Sequence, residues 1–384
     1  MLSVVTGQFQ PYLESALVTH LKGIKSADVW SPIAIVVPSK PLLDRIRWLL
    51  AIEHQLALVN VHFLTFHQLA LRLAEESRLE GTGHPPRVVD ELFFEYLVRH
   101  LVQRRLAELP ALRQLGRSFG TCAGLWSTVR DLNDAGVDPA TALRAVGEGY
   151  FDQEDADWLR ALFSLHAAVR EVGRGFGVVT ADDLTEAVLP AVPTSPFLTS
   201  LTHMSYYGFY DLTQVQLSMF QAVSSTVPTT LFFPLGSDSS FSFARRFFDR
   251  HVQPLLKSND APVETVDSSE AIGGVDVSLR SVVGREEELA LACRTILDLV
   301  ETHGYRFDEI GVVARTLDPY HSAARNIFDR HRIPFFSPAR RTLIHEPLCK
   351  MLLQLAALSA NDFYRAAVLD LVASPFYIVP LSSG

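Results

Sequence analysis

Three cysteines, at positions 122, 293 and 349, are all that this 384-residue chain contains. They are too few and too far apart for a disulfide framework or a thiolate zinc site, and they fit a reducing compartment; a cytoplasmic location is the expectation. No run of about 18 apolar residues occurs, so the sequence predicts no membrane span. The opening Met-Leu-Ser-Val-Val-Thr-Gly lacks the basic stretch and apolar core of a signal peptide. Basic charge is also in deficit: 34 Lys and Arg against 43 Asp and Glu leave a formal net charge of −9. That excludes a generally basic coat for nucleic acid. A local basic channel remains open, because Arg104-Arg105, Arg245-Arg246 and Arg340-Arg341 are clustered.

Catalytic and metal patterns are equally sparse. No Ser-His-Asp or Cys-His arrangement can be argued from the sequence. His62 and His67 share one short segment with no third ligand nearby, and the acids between Asp152 and Asp157 have no paired histidine. No metal is expected on either group.

Hydrophobic residues, by contrast, make up 48% of the chain, enough to bury substantial cores in two or three domains. Leu2–Thr6 reads as a strand breaking at Gly7, followed by a helix from about Pro11 to Lys22. Ile33–Val37 is a β-branched run leading into a helix from Pro41 to about Glu53; Val61–Thr65 leads into another over Phe66–Arg78. Strands alternating with helices predict a parallel sheet with right-handed crossovers. From 85 to 192 helical periodicity takes over, in Asp90–Leu106, Ser118–Asp134 and Glu154–Val172, which predicts a helical insertion. The sheet pattern resumes with His203–Tyr207 and Thr229–Phe233, completing a first α/β domain over 1–84 and 193–256.

Residues 257–274 are polar and rich in Ser, Asp, Pro and Gly, the composition of a linker. Beyond them, strands at Val275–Leu279, Ile310–Val313 and Ile333–Phe336 and helices at Glu286–His303 and Tyr320–His331 predict part of a second α/β domain over 275–340. A second helical stretch starts within 341–384. Three strand-like segments fall short of a closed doubly wound domain, so a fragment of a longer protein is expected.

Two loops carry the functional argument. A phosphate loop reads Gly-x4-Gly-Lys-Ser/Thr, because glycines let backbone amides surround phosphate, Lys neutralises it and the hydroxyl binds magnesium. Counted from Gly7, those last three places hold Tyr12, Leu13 and Glu14. Between 206 and 216 the chain reads Tyr-Tyr-Gly-Phe-Tyr-Asp-Leu-Thr-Gln-Val-Gln. A nucleotide-driven motor would carry there an adjacent Asp and Glu to hold magnesium and activate water; Tyr207 and Gly208 stand in their place. Asp211 and Gln216 remain, and Asp211 is expected to cap the following helix.

Taken in order, the first loop, the Val37-Pro38-Ser39 strand end, Leu64-Thr-Phe-His-Gln-Leu-Ala70, the 206–216 segment and Glu309-Ile-Gly-Val-Val-Ala-Arg315 resemble the N-terminal part of UvrD/Rep-like superfamily 1 helicases. More narrowly, they resemble the AddB-like component of bacterial AddAB-type helicase-nucleases, whose helicase-like part often lacks a working motor. The resemblance implies a P-loop NTPase-like (RecA-like) α/β fold and a role in double-strand break repair by recombination. It further implies an ATP-driven A-type partner subunit and contact with single-stranded or unwinding DNA. Ser39, Thr65, Phe66 and His67 match family positions that touch single-stranded DNA. Hydroxyls and amides there would meet phosphates, and Phe66 or His67 would stack on a base unless buried in a core or bonded to backbone. Arg315 matches an arginine that contacts the terminal phosphate; without phosphate and metal opposite it, a structural ion pair is the expectation. The acids at 286–288 resemble an acidic helix start of the family and equally suit a helix dipole.

The family's C-terminal nuclease would bring magnesium and, in some members, an iron–sulfur cluster; no cofactor is expected within these residues. Two other readings stay open: an active superfamily 1 DNA-dependent ATPase with a divergent nucleotide site, and a purely structural component that binds only its partner.

Overall fold

A computed structural model describes residues 2–56, 58–79, 87–105, 111, 119–236, 239–266, 276–317, 319–337, 343 and 346–376. The chain divides into two compact units, Met1–Ala271 and Ile272–Gly384.

The first unit is built on six parallel strands: β1 (Leu2–Gly7), β2 (Ile33–Val37), β3 (Val61–Thr65), β6 (His203–Tyr207), β7 (Thr229–Pro234) and β8 (Val263–Val266). Their spatial order is β3-β2-β6-β7-β1-β8. β2 is buried along its whole length, as a β-branched run covered on both faces must be. Its side chains alternate: Ile33, Ile35 and Val37 enter one apolar layer, Ala34 and Val36 the other. The first layer is closed by α1 (Glu14–Ala27) and α2 (Lys40–Trp48), through Leu17, Leu21, Leu43 and Ile46. The second is closed by α3 (Phe66–Leu79), through Leu69 and Leu73, among other helices.

Lys25, near the end of α1, is 3% exposed and donates to three backbone carbonyls, Val29 at 3.2 Å, Ser31 at 2.6 Å and Val59 at 2.7 Å. One buried ammonium thereby ties the end of a helix to the loops entering two strands.

Between α3 and β6 lies the expected helical insertion. It contains α4 (Glu91–Arg105), α5 (Phe119–Asp134), α6 (Pro139–Gly147) and α7 (Gln153–Phe176). Its own core includes Phe94 stacked on Trp126 with ring centroids 4.7 Å apart. A parallel pair of two-residue strands, β4 (Arg87–Val88) and β5 (Val178–Val179), joins its ends. The following helix α8 (Ala181–Val188) places Leu184 and Val188 in the core of the sheet layer. A short helix α9 (Pro196–Ser200) then leads into β6.

Two sequence expectations for this unit are corrected. The polar stretch 257–274 is not wholly linker: after α11 (Ser242–Phe247), α12 (Gln253–Asn259) runs into it, and β8 within it pairs with β1. The Val-Glu-Thr-Val pattern of β8 is that of a short, largely exposed edge strand, whose charged residue discourages further pairing. Asp211 does not cap the helix α10 (Gln214–Thr226). Thr213 does, in a reciprocal box in which its Oγ1 accepts from Gln216 N at 3.3 Å and Gln216 Oε1 accepts from Thr213 N at 3.2 Å.

The second unit contains α13 (Gly284–His303) and α14 (His321–Arg330), packed through Leu289, Cys293, Ile296 and Phe328. The expected helical stretch from Pro347 forms two pieces, α15 (Pro347–Ala357) and α16 (Arg365–Val372). None of the three strands expected here forms among the described residues; Val275 lies outside them. Residues 276–279, 310–313 and 333–336 make no ladder, and Val313 and Phe336 are 94% and 90% exposed. A β-branched run favours extended backbone, but a strand exists only where a neighbour takes its amides and carbonyls.

Candidate nucleic-acid interface

The carboxyl ends of parallel strands are where open α/β sheets present loops and helix starts to a ligand. At the end of β2, Ser39 is the N-cap of α2, its Oγ accepting from Leu42 N at 3.5 Å. Immediately beside it in the sheet (Val37 pairs with Thr65), Thr65 opens α3. Its Oγ1 accepts from Gln68 N at 3.3 Å, and Gln68 Oε1 accepts from Thr65 N at 2.9 Å. On the other side of β2, the turn after β6 delivers Phe209 and Asp211 to the same edge.

These elements enclose a cleft of about 330 Å³. Ser39, Lys40, Thr65, His67, Asp211 and Gln216 supply its polar wall. The structure therefore brings together all four residues matched to DNA contact with two retained from the magnesium-motif segment. His67 is half-buried and its Nδ1 has no hydrogen-bond partner among the described residues. Phe66 is different. It is 6% exposed and packs against Tyr206 and Phe209, with centroids 5.6 and 5.1 Å away, so its ring is core and cannot stack on a base.

The nucleotide side of the same edge is filled by the chain itself. A Cβ added to Gly7 would overlap the Val266 carbonyl of β8, so this glycine serves strand packing. Tyr12 is half-buried and Leu13, where a loop lysine would stand, is fully buried. Glu14 accepts from Gln10 Nε2 at 3.2 Å and pairs with Arg45 at 3.3 Å; Arg45 also pairs with Glu53 at 2.9 Å. The hydrogen bond to Glu53, with Glu14 adding to it, holds the Arg45 guanidinium above its ordinary pKa. Two carboxylates around one cation leave this loop unfavourable for triphosphate.

Tyr207 is fully buried and its hydroxyl has no partner among the described residues; burial, reinforced by Glu14, pushes its phenol above the ordinary range. Gly208 has φ +86°, a backbone that side chains rarely adopt, and a Cβ there would overlap Leu42 Cδ2. Phe9 lies 5.1 Å from Tyr207 and 6.2 Å from Tyr210, and Tyr210 lies 5.8 Å from Phe243, all between ring centroids. The donor set does not fit magnesium, since neither Tyr207 nor Gly208 offers a carboxylate oxygen. Among the described residues no group of three or more His, Cys, Asp or Glu could hold a metal ion.

Arg315 lies in the second unit, exposed, at a bend of the chain that lines a cavity of about 1140 Å³. It makes no ion pair among the described residues. Glu286 and Glu287 occupy the first turn of α13, and Glu288 accepts from the Tyr320 hydroxyl at 2.5 Å. Of the basic clusters, Arg245 donates to the Gly236 carbonyl, Arg246 is exposed, and Arg340-Arg341 lies outside the described residues.

Sequence reasoning missed Phe9, Leu42, Arg45 and Thr185. Phe9 is two residues from Gly7, and its aromatic ring next to an expected phosphate turn is a usable signal. Leu42, Arg45 and Thr185 meet the site only through the fold, and nothing local marks them.

The fold is that of an α/β protein with a cleft at the carboxyl ends of a parallel sheet. No protein-family model matches the chain. It is similar to curated proteins named as the B-type subunit of an ATP-dependent helicase/deoxyribonuclease. It is 26% identical to that of Symbiobacterium thermophilum over 85% of this chain and 31% of the relative. It is 22% identical to that of Heliobacterium modesticaldum over 94% and 32%, and 21% identical to that of Lactobacillus helveticus over 98% and 35%. The chain is a homologue of these AddB proteins and spans about a third of their length. Among the described residues no helix is long and apolar enough to cross a membrane.

Proposed function

We propose that this chain is a DNA-binding, motor-inactive, RecA-like scaffold of a helicase-deoxyribonuclease acting in double-strand break repair by recombination. One observation carries the reading. Ser39, Thr65 and His67, from two strand ends and the helix starts after them, converge with Asp211 and Gln216 on one cleft. The nucleotide loop further along the same edge is occupied by Leu13, Tyr207 and a Glu14–Arg45 pair. The relatives are named as one component of a helicase/deoxyribonuclease, which supports a partner; an ATP-driven A-type subunit would supply translocation, and magnesium would serve a nuclease elsewhere in the complex.

The test is equilibrium binding of a labelled single-stranded oligonucleotide at low and moderate salt. Wild type binds, and affinity falls as salt rises because phosphate contacts release counterions. His67→Ala and Ser39→Ala each weaken binding with the fold intact. Absence of binding at low salt, beside firm association with a partner subunit, would favour the purely structural reading instead.

A further inference from the structure

The turn after β6 serves two sides at once. Tyr207 and Tyr210 pack toward the first loop, against Phe9, while Phe209 and Asp211 face the cleft. Gly208 sits between them, pinned by Leu42, with Phe9 Cε2 and Pro38 Cδ each 3.6 Å from the position of a Cβ. Leu42 belongs to α2, whose N-cap Ser39 and first residue Lys40 form another wall of the cleft. The aromatic group, the turn and the cleft wall are therefore one packed body within the first unit.

In a nucleotide-driven protein the occupant of the first loop is a ligand that arrives and leaves, and the turn beside it responds. Here the neighbouring group is a side chain that stays. We propose that Phe9 and Tyr210, stacked across the degenerate nucleotide site, act as a resident occupant that fixes the 207–211 turn and thereby sets the geometry of the nucleic-acid cleft. Both are positioning residues; neither lines the cleft. The proposal rests on the reading of that cleft as a DNA site, and it makes DNA affinity constitutive, independent of nucleotide.

The experiment compares oligonucleotide binding by wild type, Phe9→Ala, Tyr210→Ala and Tyr210→Phe, each checked for folding by thermal melting. Tyr210 is 39% exposed, so its truncation leaves a folded protein to measure even if Phe9→Ala does not. The two alanine variants weaken binding about tenfold, with the slope of affinity against salt unchanged because no phosphate contact is removed. Tyr210→Phe, which keeps the ring, restores wild-type affinity. Millimolar Mg-ATP leaves wild-type affinity where it was. Folded Tyr210→Ala binding as tightly as wild type would overturn the coupling while leaving the DNA reading in place. Wild type that fails to bind DNA at low salt would remove the DNA reading and the coupling with it.

Discussion

Leu42 Cδ2 fills the space that any side chain at residue 208 would need, and Gly208 has the left-handed backbone that glycine alone tolerates readily. A side chain at residue 208 would therefore need both a strained backbone and a displaced Leu42. Gly208→Glu gives no DNA-stimulated phosphate release and lowers stability by roughly 2–4 kcal/mol, from backbone strain and overpacking together. Denaturant melts of the variant measure the loss, and a variant as stable as wild type would contradict this packing.

Phe66 and His67 are neighbours with opposite fates. Phe66→Ala removes a buried ring from the Tyr206–Phe209 group and costs about 3–5 kcal/mol of stability. His67→Ala changes stability by less than about 1 kcal/mol and acts on DNA affinity. Melting and binding curves on both variants separate the roles; equal effects on stability would show that His67 is structural.

Acid destabilises the first unit. Burial, aided by Arg170, holds His166 at a pKa of about 4, and burial with His20 nearby holds His203 at about 4. Both folded values lie below the ordinary 6.5, so between those pH values the unfolded chain binds more protons. The stabilisation is complete above about pH 6.5 and is lost as pH falls toward 4. His166 is fully buried, with Nε2 2.6 Å from Asn133 Oδ1, and contributes about 3 kcal/mol of that loss. His166→Gln flattens the stability profile over this range relative to wild type; an unchanged profile would remove His166 as the titrating group.

Lys25→Met leaves the carbonyls of Val29, Ser31 and Val59 without their shared donor. Loss of three charge-assisted bonds in a buried setting costs on the order of 3 kcal/mol. Hydrogen exchange at Trp30 and Ser31 and around Val59 rises in the variant, and no local change there would show that the clamp is dispensable.

The sheet was legible because its strands are short apolar runs closed by clear punctuation: Val37-Pro38-Ser39 and Thr65-Phe66 mark strand ends that coincide with the structure. Ser39, Thr65 and His67 are singled out in the sequence only by the family resemblance, and the structure lines one cleft with them. What sequence could not supply is whatever depends on contacts across the fold. β8 hides in a Ser- and Asp-rich stretch because an exposed edge strand needs no apolar alternation. Thr213, rather than Asp211, caps its helix because Thr213 has the extended backbone that aims its hydroxyl at Gln216. In the second unit, β-branched composition at 310–313 signalled extension and could not signal the absence of a paired neighbour.

Under the proposed function this edge grips a single strand and has no grip on triphosphate. The most direct test is calorimetric titration of Mg-ATP into the protein bound to a single-stranded oligonucleotide, followed by assay of phosphate release. No saturable heat and no release above background are expected. Stoichiometric Mg-ATP binding with DNA-stimulated release, abolished by Asp211→Ala, would contradict that function.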